Sequence, residues 1–562
     1  MSSKADADQN LLTPIGADAP SLEKYGFRIG QKGRYATKTH WYEFPSDDPQ
    51  VLEVWTYTDQ LSYAPGELVH FHVYCSGREF SLEIARDGHI VEEAHQVTGL
   101  PGSMPSTPAN AYEVGAGWPV AYSWRIPLGQ RSGPYVVTTR VRNEANEARE
   151  HHHLFIIRPA KDAQSKAKLL MLFASSTWLA YNEWGGANFY QGIAGPERDR
   201  FSPRISIRRP WARGFVRLPE GAPHATYERD VPPKWAVDIP FFNWSMGMGY
   251  SKWYVGGSYA EYDSLFVKWA EKEGYELDYI TQHDLHYGTV DLINYKAVVI
   301  AGHDEYWSTE MRDAVDAYLD GGGRVARFGG NFFWQIRLED TGCTQVSYKR
   351  FAHTEDPVRN DPKNKHRLTT IWEDRVLERP GVLTLGLNGS RGLYARMGGM
   401  APRHSGGFTV YRPEHWVFAG TDLYYGDVFG AEAGIFGFEV DGLAYTFRDG
   451  LPFPTGEDGA PVERIEIVAM APAVLVEEDH GNPLSNLSWL NREGLLVAQG
   501  VFGDTSPESM RKIRYGAGMI VTYVRGLGEV LNAGSCMWSI GLKRRDLFTE
   551  QITHNVLRRF SQ

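Results

Sequence analysis

An all-β domain followed by a parallel-sheet α/β domain with a β-rich insertion is the fold class this sequence predicts, and three patterns predict it. Between about residues 45 and 158 apolar and polar residues alternate in short runs, with turn signals every 8 to 12 residues. That pattern marks an antiparallel β-sandwich of the immunoglobulin-like kind. From Lys168 onward, wholly apolar runs of strand length alternate with helical periodicity, the signature of a parallel α/β sheet. From about 380 to 500 the two-residue alternation and the Gly/Pro turns return.

Taken in order, residues 1–44 carry Pro, Gly, Asp and Ser without periodicity and read as an extended arm. The sandwich, 45–158, contains Leu52-Glu53-Val54-Trp55-Thr56-Tyr57 and Leu68-Val69-His70-Phe71-His72-Val73. Further strands are expected at Phe80 to Ala85, Val120 to Ile126, Gly133 to Val141 and His153 to Ile157. His151-His152-His153 cannot converge on one ion from an extended strand, because side chains alternate sides. It reads as a strand entrance.

The α/β domain, 168–380, opens with an apolar strand from Lys168 to Ala174, ending in small and polar residues up to Tyr181. Residues 191–250 form a Pro/Arg/Gly-rich excursion, of a length usual for functional lids or disordered segments, and its basic stretch from Arg204 to Arg217 reads as a solvated loop. Tyr262, Leu265, Phe266 and Trp269 at i, i+3, i+4 and i+7 predict a helix from about Tyr259 to Gly274. A strand (Leu277 to Thr281), a loop with His283, Asp284 and His286, and a strand ending at His303 follow. Ser308 is placed to cap a helix reaching Asp320, and Arg324 to Phe328 is a further strand. A β-rich insertion spans 381–500. Residues 501–562 complete the α/β domain with a strand pair (Met519 to Val524, Gly528 to Leu531) and a helix from Phe548 to Phe560.

The chain has 562 residues and a net charge of −11, which disfavours a nucleic-acid partner. Three widely spaced cysteines suggest neither a disulfide framework nor a thiolate metal site. No apolar window approaches the roughly 18 residues needed to span a bilayer, and Met1 to Ala19 is polar, with no apolar core segment and no small-residue cleavage pattern. A cytoplasmic protein without membrane partners is expected.

The most informative segment is Val298 to Ser308, where an apolar run breaks at Gly302 and presents His303, Asp304, Glu305 and Tyr306. In open parallel sheets, chemistry collects beyond the carboxyl ends of the strands. With extended backbone, His303 and Glu305 project to one side. The next strand also breaks at glycine, in Gly329-Gly330-Asn331, and so delivers Asn331 to the same edge. A metal or acid/base site is one reading; ordinary loop polars satisfied by backbone are the other.

Thr177 to Gly186, Gly302-His303-Asp304-Glu305-Tyr306-Trp307-Ser308, Gly329 to Gln335, Gly437 to Gly442 and Asn532 to Ser535 together resemble the C-terminal part of the N,N-dimethylformamidase large-subunit family. The resemblance runs from about residue 45 to the C-terminus. It implies a sandwich on an amidotransferase/flavodoxin-like sheet, and a mononuclear Fe(III) held by two tyrosinates and a glutamate. Carried over, Glu305 is the carboxylate ligand and Tyr181 one phenolate. Tyr190 is the choice for the second, with Tyr227, Tyr254 and Tyr262 as alternatives, because the family's tyrosines lie further apart. His303 and Asn331 become pocket groups, and Glu439 or His303 handles the proton of water.

Oxygen ligands suit a hard ion, which would polarise an amide carbonyl and acidify water. The expectation is therefore iron-dependent hydrolysis of a small N-substituted amide, dimethylformamide-like, to a carboxylate and an amine. Trp178, Trp184, Tyr306, Trp307, Phe332 and Phe333 are expected to wall the pocket. A small accessory subunit and a homo-oligomer are the expected partners. The rival is a non-catalytic protein whose β domains bind carbohydrate or another ligand, and it would be colourless and metal-free.

Overall fold

The computed structural model describes residues 34–36, 41–161, 167–225, 244–245, 248–395, 406–475 and 488–562. Most of the predicted N-terminal arm, part of the 191–250 excursion and the candidate ligand Tyr227 lie outside them.

Two antiparallel layers stand where alternation predicts them. One contains Val54–Thr58, Leu68–Cys75 and Val120–Arg125, with Leu68–Cys75 in the middle. The other runs Ser62–Tyr63, Ala148–Ile157, Gly133–Arg142, Glu79–Asp87, Val91–Pro101; only its first pair is parallel. Val69, Phe71 and Val73 from one layer share a core with Leu82, Ile84, Val137 and Phe155 from the other. No helix interrupts Val51 to Phe80. His151 and His153 lie on one side of their strand and accept hydrogen bonds from the amides of Thr56 and Thr58, both at 3.2 Å. Burial holds the His153 imidazole down to about 3, so it is neutral.

The second unit is built on one large sheet. Its parallel half runs Leu277–Thr281, Leu169–Phe173, Ala297–His303, Arg324–Gly330, Gly528–Asn532. The first strand in the chain therefore lies between the second and the third. Ala297–His303 is buried throughout, as a run such as Val298-Val299-Ile300-Ala301 demands in a sheet covered on both faces. The sheet then continues antiparallel through Tyr515–Arg525, Ile465–Val474, Asn388–Ala395 and Phe438–Gly442. Strands of the 381–500 stretch thus extend this sheet by edge pairing.

The helix Thr309–Asp320 starts where predicted, the Ser308 hydroxyl accepting from the Met311 amide at 3.2 Å. Three local expectations need correction. His283, Asp284 and His286 stand on a short helix, Gln282–Tyr287. Its signal is a capping box: Thr281 Oγ1 accepts from the Asp284 amide, and Asp284 Oδ2 from the Thr281 amide. The residues after Phe173 turn into a helix, Ser175–Tyr181, so Tyr181 stands two turns beyond the strand end.

The stretch Arg204 to Arg217 is not a solvated loop, since Ile205, Arg209, Trp211, Ala212, Phe215 and Val216 are all buried. Arg209 tolerates burial because four backbone carbonyls, of Asn182, Trp184, Ala187 and Ser206, accept from its guanidinium.

The two units share a continuous core in which Trp55 and Trp118 pack edge-on against Trp184. Polar pairs lock the seam: Arg86 with the half-buried Glu271 at 2.5 Å, and Ser62 with Asp284, both buried, at 2.6 Å. Among the described residues, no helix is long and apolar enough to cross a membrane.

Candidate metal centre

The site forms where the middle parallel strands end. Gly302 takes φ +79°, and a Cβ there would sit 2.4 Å from that of Tyr262. Only glycine permits this bend and approach. Beyond it the chain presents His303, Asp304 and Glu305 and re-enters a short strand, Tyr306–Ser308, pairing with Trp334–Glu339. The neighbouring strand ends at Gly330, opposite His303. Asn331 follows with φ +62°.

Tyr181 closes the helix after the first parallel strand, and Tyr190 sits on the loop beyond it. Asn188 joins them: its Nδ2 donates to the Tyr181 carbonyl and its Oδ1 accepts from the Tyr190 amide, both at 2.8 Å. The buried Arg209 holds the 182–187 part of the same loop through its carbonyls. A Cβ at Gly256 would lie 2.3 Å from the Tyr181 ring, so glycine there lets the ring sit flush against the backbone.

These elements bring both phenols to one carboxylate. Tyr181 donates to Glu305 Oε2 at 3.0 Å, and Tyr190 reaches both Glu305 oxygens at 2.7 and 2.8 Å. The rings stack at 4.3 Å. The Glu305 amide is anchored on Thr177 Oγ1 at 3.0 Å. Burial first, and the Glu305 charge second, push both phenols well above the ordinary tyrosine range. Burial also raises Glu305 itself.

His303 and Glu439 form the second half. His303 Nε2 lies 2.7 Å from Glu439 Oε2 and 3.5 Å from Glu305 Oε2. Its Nδ1 faces the Gly256 carbonyl, which can only accept, so Nδ1 carries a proton. Burial opposes the imidazolium, but the Glu439 charge and hydrogen bond, helped by Glu305, outweigh it and push His303 up to about 9. Asn331 Nδ2 donates to Glu439 Oε2 at 2.9 Å and lies 3.2 Å from His303 Nε2.

Tyr181, Tyr190, Glu305, His303, Asn331 and Glu439 therefore all meet. Tyr254 and Tyr262 do not: their hydroxyls donate to the carbonyls of Pro223 and Val255. Trp178 and Trp184, of the expected aromatic walls, are elsewhere, and Trp307 packs edge-on against Phe332 with its indole on Asp304. Trp184 packs at the sandwich seam, and the Trp178 indole donates to Asp263. Trp253 and Phe438 take their place, 5.4 Å from Tyr190 and 5.5 Å from His303.

Sequence reading missed Lys349. Its ammonium is 3.4 Å from the Tyr190 ring centre and donates to Tyr306 OH at 2.9 Å. Tyr306 OH donates in turn to Tyr190 OH at 2.8 Å. Burial lowers Lys349 to about 8, opposed by Glu305. Like Asn331 and Phe438, Lys349 has positive φ, a strained state for a non-glycine that tends to gather at functional sites. No local motif announces it.

The donor set fits a hard cation. Two phenolic oxygens and a carboxylate converge, and the hydroxyl protons lie where a cation would stand in for them.

The family model described as N,N-dimethylformamidase beta subunit-like, C-terminal, matches residues 83–552. The chain belongs to that family. Two curated relatives are N,N-dimethylformamidase beta subunits. The one from Paracoccus aminophilus is 24% identical over 291 residues, covering 49% of this chain and 33% of the relative. The one from Alcaligenes sp is 25% identical over 294 residues, with the same coverages of 49% and 33%. The match thus spans about a third of each beta subunit's length. Among solved structures, the Bacillus subtilis sporulation control protein Spo0M covers 19% of this chain and 48% of its own, at 17% identity and a TM-score of 0.14. A score that low carries no argument. The dimethylformamidase-like match contains every residue of the cluster described above.

Proposed function

We propose that this chain carries an iron-dependent centre that hydrolyses a small N-substituted amide, such as N,N-dimethylformamide, to a carboxylate and an amine. The observation that carries this reading is the convergence of Tyr181, Tyr190 and Glu305 beside the His303–Glu439 pair. Tyr181, Tyr190 and Glu305 would hold the ion, a mononuclear Fe(III). When bound, it would supply Lewis acidity toward an amide carbonyl and a water molecule.

The chain's own groups do the rest. Glu439 accepts a proton from the attacking water, and His303 Nε2, 2.7 Å away, returns one to the leaving nitrogen. Asn331 holds the Glu439 carboxylate in place at 2.9 Å. Trp253 and Phe438 restrict water around the N-alkyl groups. An accessory subunit belongs to the proposal because the curated relatives are named as beta subunits.

The finer fold reading has support of the same kind. The parallel order second, first, third, fourth, fifth is that of flavodoxin-like sheets, and such sheets bind ligands between the first and third strands. Two antiparallel layers face to face are the layering of an immunoglobulin-like sandwich.

Metal analysis and a visible spectrum test the centre, and amine release from formamide, N-methylformamide and dimethylformamide tests the reaction. Iron-loaded protein should be coloured by tyrosinate charge transfer and should release amine. Tyr181→Phe and Tyr190→Phe should each shift or abolish the band. Protein that takes up no iron, or is colourless with it, ends the centre. Coloured protein that releases no amine from any of the three ends the substrate class.

A further inference from the structure

A second donor set lies against the first. His303 Nε2, a carboxylate oxygen of Glu439 and Cys536 Sγ all fall within 4.8 Å of one another, and all three residues are buried. We propose that these three groups form a binding site for a thiophilic divalent cation, Zn²⁺ or Cd²⁺, whose occupation shuts the neighbouring centre down. The loss of turnover rests on the proton-handling role given to His303 and Glu439; the binding itself does not.

The fold places Cys536 there firmly. Its amide donates to the Glu439 carbonyl at 3.1 Å, and Ser535 bridges antiparallel to Val440, so the two ligand-bearing backbones run side by side. His303 comes from the end of the central parallel strand, on the far side of the same gap. No local motif announces this arrangement, because Cys536 lies 97 positions beyond Glu439 in the chain.

The chemistry differs from that of the phenol cluster. Tyr181, Tyr190 and Glu305 offer oxygen alone, which suits a hard ion. Imidazole, carboxylate and thiolate together suit a borderline-soft ion such as zinc. Glu439, Asp441 and Glu305 surround the buried thiol with negative charge, which a divalent cation would relieve.

A second observation points the same way. Asn331 Oδ1 is buried and has no hydrogen-bond partner, although its Nδ2 sits 2.9 Å from Glu439 and 3.2 Å from His303. Turning that amide over exchanges the two atoms and presents the oxygen to the gap as a fourth ligand. Binding would release the thiol proton of Cys536 and the Nε2 proton of His303, with no change of oxidation state. The imidazole then has no Nε2 proton to give to the leaving nitrogen, and the cation-bound Glu439 carboxylate is a weaker base toward water.

The iron-loaded 562-residue chain titrated with Cd²⁺ provides the test, read by the ultraviolet cadmium–thiolate absorption and by amine release. One cadmium per chain should saturate the absorption, and turnover should fall in step and return on chelation. Cys536→Ser should abolish the absorption and raise the Cd²⁺ concentration for half-inhibition at least about tenfold, the least expected for a lost ligand. Cys343→Ser, whose thiol lies elsewhere, should change neither readout, and melting curves verify that both variants fold. No absorption in the parent protein, or absorption that persists in Cys536→Ser, overturns the site. Unchanged turnover with cadmium seated overturns the inhibitory role. The absorption needs no substrate, so a protein that hydrolyses none of the amides refutes the proposed reaction while the cation site is judged by its own signal.

Discussion

Arg327→Met is the substitution whose cost the structure allows to be worked out. Arg327 is wholly buried in a central parallel strand. Its Nε lies 3.1 Å from Asp304, and one terminal nitrogen lies 2.5 Å from Asp441 and 3.3 Å from Asn532. Both carboxylates have further work: Asp304 accepts from the Trp307 indole, and Asp441 from the Phe332 amide. Methionine keeps much of the volume but leaves two buried carboxylates facing each other without a cation. Removing one partner of such a pair costs about 3–5 kcal/mol. For a cooperative unit of about 390 residues the unfolding entropy is about 0.8 kcal/mol/K, so the melting temperature should fall by about 4–6 °C. Scanning calorimetry of parent and variant measures this. A triple variant that adds Asp304→Asn and Asp441→Asn removes the stranded charges and should recover most of the loss. A single variant melting within about 1 °C of the parent would refute the reasoning, given the shift such a pair demands. So would a triple variant no better than the single.

Three further outcomes are expected. In iron-loaded Lys349→Met, loss of the cation 3.4 Å from the Tyr190 ring raises the energy of the phenolate electrons, so the visible band should move to longer wavelength; an unmoved band rejects that electrostatic role. Asp263 is buried and pushed up to about 8, despite hydrogen bonds from Trp178 and Ala174. Its unfolded value is near about 3.9, so its contribution is fully present below that pH and is lost as pH rises toward about 8, by at most about 1.4 kcal/mol per unit. Asp263→Asn should flatten the fall in melting temperature between about pH 5 and 8, and an unchanged slope counts against it. Gly302→Ala sets a Cβ 2.4 Å from that of Tyr262 at φ +79° and should cost more than about 1 kcal/mol in urea unfolding; a neutral result would mean that Tyr262 yields easily.

What was legible in the sequence follows from where each signal is stored. His303, Glu305 and Asn331 could be placed at one sheet edge because an apolar run, a glycine break and polar side chains coincide within a few residues. The capping residue Ser308 and the strand Leu277–Thr281 are local in the same sense. The strand Val91–Pro101 escaped because it pairs along one edge only and is mostly exposed, so no apolar alternation is imposed on it. Arg204 to Arg217 was misread because composition reports average behaviour, and an arginine held by four carbonyls is not average. Tyr190 could be chosen only by resemblance: nine residues after Tyr181, its position depends on Asn188 and Arg209 folding the intervening loop back on itself. Lys349 and Cys536 were out of reach altogether, since each arrives from a segment whose course is set by sheet pairing elsewhere. A centre of this kind is thus half local and half topological. Strand-end motifs supply the carboxylate and the imidazole, whereas the second phenol, the ammonium and the thiol come into range only when the antiparallel strands close over the edge of the parallel sheet.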